Sequence, residues 1–99
     1  MNLLSEGEQF IGKQPADVEQ GRSLAARLRS KAIDLSYSRA TEFSPEIQEL
    51  HLMAAKVALV TFGRWSSEVD QYEKDVFYYK AFNPPHKIVK EYEQFKSSR

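Results

Sequence analysis

An all-α fold, a small bundle of three main helices with a shorter C-terminal one, is what the spacing of this chain predicts. Three observations carry that expectation. Apolar residues recur at intervals of three and four along most of the length. Prolines stand at the edges of those runs, at Pro15, Pro45 and Pro84-Pro85. The stretch from His51 to Phe62, HLMAAKVALVTF, carries one charge, Lys56, and is apolar on nearly every side of a helix. Such a helix must be covered all round.

The 99 residues suffice for one domain with one core, read as 1–99. Within it, 1–14 is an arm or short helix, 15–96 the bundle and 97–99 a frayed tail. In the first segment, Ser5 and Glu8 have capping-box spacing, Gly12 is an expected stop, and Phe10 and Ile11 are the packing residues. Pro15 opens a helix expected near 15–40, with Asp17 and Glu19 at the positive end of its dipole. Its apolar face is Val18, Gly21, Leu24, Ala25, Leu28, Ala32 and Leu35. Arg22 and Arg29 flank one side of that stripe, Arg27 and Lys31 the other, and Arg39 falls on it. They read as basic residues snorkelling at core edges, or as a platform for an anion or nucleic acid.

Ser44-Pro45-Glu46 starts the next helix, near 45–62: a serine cap, proline at the first position, then an acid. One face is Ile47, Leu50, Ala54, Val57, Ala58 and Thr61; roughly opposite lie Leu52, Ala55, Leu59 and Phe62. A peripheral helix needs one stripe, and this one has two. Burying Leu52, Leu59 and Phe62 contributes ~1.5–3 kcal/mol each, against ~5–15 kcal/mol for a whole domain. Either the helix is central and covered by its own chain, or its second face meets another chain.

Gly63 and Ser66-Ser67 favour a kink or break near 63–66, because an unbroken helix over 45–82 would run about 57 Å. Trp65, Val69, Tyr72, Val76 and Tyr79 keep the phase of the first face into a helix near 66–82. Asn83-Pro84-Pro85 stops it, and Ile88, Val89, Tyr92 and Phe95 form the stripe of a last helix near 85–96.

The function classes narrow by exclusion. Fourteen basic and 14 acidic residues give no net charge, which argues against a generic polyanion binder. No cysteine is present, so disulfides and thiolate zinc sites are out, and the chain fits a cytoplasmic setting. The start has no signal-peptide pattern, and the 12 residues from His51 to Phe62 fall short of a membrane span. His51 reads as a core-edge histidine and His86 as a solvated one; no nucleophile triad, P-loop or metal spacing appears. No cofactor and no metal is expected.

Paired acids, Glu46 with Glu49 and Asp70 with Glu73 beside Asp75, have the spacing that can hold Mg²⁺ and a phosphate. EIQEL (46–50) and DVFYY (75–79) resemble the acidic helices of the MazG-like all-helical nucleotide pyrophosphatases. The resemblance spans about a dozen residues. Pro45-Glu46 stands where that family has a double acid, and Tyr72 where it has an acid one turn before Asp75. The leading expectation is instead a non-enzymatic protein-binding module: a subunit, adaptor or occluding inhibitor, of the size of small phage regulators, docking on itself as a homodimer or on a larger protein. Its contact residues would be Leu52, Leu59, Phe62, Tyr78 and Phe82. Nucleic-acid binding through Arg22, Arg27, Arg29, Lys31 and Arg39 is the alternative, and the Mg²⁺-dependent pyrophosphatase ranks third.

Overall fold

The computed structural model describes residues 2–13, 17–38, 45–77 and 86–98, and places five helices and no strand among them. The chain is all-α. The N-terminal segment forms a full helix, α1 (Leu3–Ile11). Its cap is Asn2 and not Ser5: the Asn2 Oδ1 accepts the Ser5 N–H at 2.8 Å, satisfying a donor that has no partner inside the helix. Helix α2 (Val18–Ser38) likewise starts later than Pro15 suggests. The Asp17 side chain accepts the Gln20 N–H at 3.0 Å and its carbonyl accepts the Gly21 N–H at 2.9 Å, the two bonds of an N-cap. Pro15, Phe43, Ser44 and the Asn83-Pro84-Pro85 stop lie outside the described residues. Helix α3 (Pro45–Phe62) has the expected bounds, α4 spans Ser67–Phe77 and α5 spans His86–Ser97.

Helix α3 packs against each of the other four. Ten of its 18 residues are buried, on all sides, so its two apolar faces are both covered by the chain itself. The first face meets α2, which runs antiparallel to it: Gly21 lies against Thr61, and Leu28 and Met53 meet beneath Gly7 of α1. The second face lies under α1 and α5. Leu52 shares a cleft with Leu4 and Glu8 of α1 and Glu91 of α5, and the Lys56 ammonium sits 5.3 Å over the Phe95 ring.

Two features stitch the outer helices down. The first is a ladder between α2 and α4. Arg22 reaches Glu68 at 3.5 Å, and seven residues on, the Arg29 Nε donates to Asp75 Oδ2 at 2.6 Å. Equal spacing on both helices means that they run parallel, in register, with α3 antiparallel between them. Arg27, on the other side of the α2 stripe, instead reaches Glu6 of α1 at 3.4 Å. The second feature is Glu73. One of its oxygens, Oε2, accepts from the Tyr92 hydroxyl and from the Lys96 ammonium, both at 2.7 Å. Tyr92 is wholly buried, and burial together with the bond to Glu73 keeps its hydroxyl protonated far above the ordinary tyrosine range. Glu73→Ala would leave that hydroxyl without its acceptor in the core. The expected cost is about 1–3 kcal/mol, read as a lower urea midpoint, with loss of amide protection centred on α5.

Candidate functional site

Of the residues expected to form a docking surface, Leu52 and Leu59 are buried, each 5 % exposed and enclosed by α3's own neighbours. The physical reason is that α3 packs against all four of the other helices, so the chain itself covers this second face. Phe62 is half-buried. Tyr78 and Phe82 lie outside the described residues.

Among the described residues, the basic side chains expected to form a platform are directed to different neighbours. Arg22, Arg27 and Arg29 each face an acid on another helix, Glu68, Glu6 and Asp75. Lys31 lines a cavity with Glu46, Asn2, Leu3, Leu4 and Leu50. Arg39 lies outside the described residues. The acids named with the pyrophosphatase resemblance also diverge. Asp75 is held by Arg29 and Glu73 by Tyr92 and Lys96, while Glu49 opens onto the α1–α5 cleft. Among the described residues, no three His, Asp or Glu side chains are grouped to hold a metal ion, and no helix is long and apolar enough to cross a membrane.

What the fold does present is the corner between α3 and α4. Helix α3 stops at Phe62 because Gly63 takes the left-handed conformation, φ +85°, which side-chain-bearing residues rarely adopt. The Gly63 N–H still donates to Leu59 O at 2.9 Å, and the Ser66 N–H donates back to Gly63 O at 3.2 Å. Ser66 then caps α4, its Oγ accepting the Glu68 N–H at 3.1 Å. The turn throws Trp65 out to 92 % exposure, the most exposed large apolar side chain among the described residues.

This corner is held on two sides. Arg64 Nη2 donates to the Lys96 carbonyl of α5 at 2.7 Å. On the α2 side, the Arg22 guanidinium stacks 5.3 Å from the centroid of the Phe62 ring while also reaching Glu68. Val18, one turn before Arg22 at the same end of the molecule, is 47 % exposed. A large aromatic ring is thus carried on a short turn whose Arg64 is tied to α5 and whose flanking residues Phe62 and Glu68 are met by Arg22 of α2.

Sequence periodicity places Trp65 on the buried first face, in phase with Val69 and Val76. The structure buries those two valines completely but not the tryptophan. The signal was present: a glycine stop followed by two serines cancels helical phase, and only the residues after the new cap resume it. Comparison with protein-family models, curated proteins and solved structures finds no match to this chain.

Proposed function

We propose that this chain is a small non-enzymatic protein-binding module whose contact point is the Trp65 corner. The observation that carries this reading is the solvent-exposed tryptophan on a clamped turn. Tryptophan is a residue that folded chains usually cover, and tryptophan and arginine are the side chains most enriched where binding energy concentrates. A turn already tied to α2 and α5 loses little freedom when a partner closes over it. In this reading α2, α3 and α4 form the bundle that carries the surface, and α1 and α5 clamp it. The half-buried Phe62 ring and exposed Val18 extend the apolar area, with Arg22 and Arg64 at its rim.

Trp65 is the single tryptophan of the chain, so its fluorescence reports this corner alone. The isolated protein is expected to show water-exposed emission that acrylamide quenches freely. A second copy is the first partner to test, by a concentration series with light scattering, and a photo-crosslinker placed at residue 66 identifies others. With the partner in hand, binding should blue-shift the emission and protect it. Trp65→Ala should weaken binding about 30-fold or more and leave stability within about 0.5 kcal/mol. A partner that binds Trp65→Ala as tightly as the wild-type protein would sink the reading.

A further inference from the structure

The chemistry of the partner is narrowed by the residue that stands beside Trp65. Four arginines lie among the described residues, and three of them meet a carboxylate: Arg22 meets Glu68, Arg27 meets Glu6 and Arg29 meets Asp75. Arg64 instead meets a carbonyl, its Nη2 donating to Lys96 O at 2.7 Å. That bond holds the guanidinium in place without answering its charge, and the nearby Lys96 ammonium already occupies Glu73. Resting on the reading of Trp65 as the contact point, we propose that the corner takes an acidic peptide. A segment of another protein docks one Asp or Glu carboxylate on Arg64 while a neighbouring apolar side chain packs on the Trp65 ring.

A guanidinium carries its N–H donors in one rigid plane, and two edges of that plane present paired donors, Nε with Nη2 and Nη1 with Nη2. Nη2 has one hydrogen on each edge. A single bond to Lys96 O therefore engages one edge and leaves the other whole. A carboxylate fits such an edge with two parallel bonds. Because Arg64 is already tied to α5, it gives up less freedom on docking than an untethered arginine does. The apolar half of the contact lies alongside. Trp65 is the next residue of the same turn, the Phe62 ring lies under Arg22, and Val18 is exposed at the same end of the molecule.

Nearby acids decide between one carboxylate and a polyanion. Glu68, three residues after Trp65, is half-exposed, and Glu19, next to Val18, is exposed. A nucleic-acid backbone or an anionic lipid surface would bring a row of phosphates against both. The whole chain, with no net charge, supplies no long-range attraction to offset that repulsion. A peptide escapes it. One acid reaches Arg64, and uncharged residues cover Arg22 and Glu68, which already neutralise each other.

The test pans a display library of short random peptides against the full chain and, in parallel, against Trp65→Ala and Arg64→Gln. Both positions are exposed, so both variants should keep the wild-type helical signal. Peptides that need Trp65 should carry Asp or Glu beside Leu, Ile, Phe or Trp. Synthesised singly and titrated by Trp65 fluorescence, such a peptide should bind about tenfold more weakly when its acid is changed to the amide. Arg64→Gln should weaken the acidic peptide by a similar factor and leave the amide version unchanged. Binders that need Trp65 but carry no acid preference, or are indifferent to Arg64→Gln, overturn the acidic-peptide assignment and leave the contact point standing. Binders that Trp65→Ala does not weaken, or no binders at all, overturn both. A Trp65 emission shift with phosphatidylserine vesicles or a single-stranded oligonucleotide, but with no acidic peptide, assigns the corner to a polyanion and overturns the peptide.

Discussion

Leu59→Lys is expected to unfold this protein rather than to detach it from a partner. Leu59 is 5 % exposed, on the face of α3 that lies under the outer helices. Truncating such a leucine to alanine removes about 2–5 kcal/mol. Lysine adds an ammonium with no counter-ion, and its four-carbon stem cannot reach water without lifting a covering helix away. The charge penalty adds several kcal/mol more. Against a domain stability of about 5–15 kcal/mol, the sum leaves little or no folded population. Far-ultraviolet circular dichroism should show the helical signal lost or strongly reduced, whereas Leu59→Ala should keep it and melt early. If Leu59→Lys instead retains a cooperative transition, α5 is not holding this face, and the second stripe of α3 returns as a surface that another chain can occupy.

That outcome turns on something periodicity could not supply. The stripe Leu52, Ala55, Leu59 and Phe62 says that a cover is required; it does not say whose. The apolar stripe of α5, Ile88 and Tyr92, is equally plain in the sequence, but nothing in it says whether it packs within its own chain or on a second copy. Boundaries were legible where one residue enforces them. Pro45 begins α3, and Gly63 ends it by taking a conformation other residues avoid. They were not legible where two residues compete, as with Pro15 and Asp17 at the head of α2. The destinations of the arginines were half legible. Their division between the two sides of the α2 stripe follows from helical geometry, and the sides do meet different helices. The repeat of seven in Arg22 and Arg29, matched by Glu68 and Asp75, becomes a ladder only once α4 is known to return parallel to α2. The exposed Trp65 was hidden because a broken helix was read as keeping its phase.

The second large effect is expected at Gly21, where an alanine should destabilise even though alanine is the better helix former. In an open helix the change would favour folding by about 1 kcal/mol. Here a Cβ on Gly21 would overlap the hydroxyl oxygen of Thr61 and lie 2.8 Å from both the Thr61 methyl and Phe10 Cζ. Rotating Thr61 does not help, since both of its branches point at the same spot and its hydroxyl is engaged, donating to Val57 O at 2.7 Å. Phe10 is 2 % exposed and has nowhere to swing. Helix α2 must therefore back away from α3 along its closest approach. Overpacking of this kind costs about 1–3 kcal/mol for one added methyl and should exceed that for Gly21→Leu, which adds four carbons where there is no room for one. Gly7 is the control. A Cβ there would meet only the flexible side chain of Met53 at close range, so Gly7→Ala should be far milder. Thr61→Ala clears two of the three obstructing atoms, so Gly21→Ala in that background should lose much of its penalty. A double-mutant cycle with a coupling of about 1 kcal/mol or more would place the α2–α3 contact where the structure has it; strictly additive effects would mean that the two helices meet somewhere else.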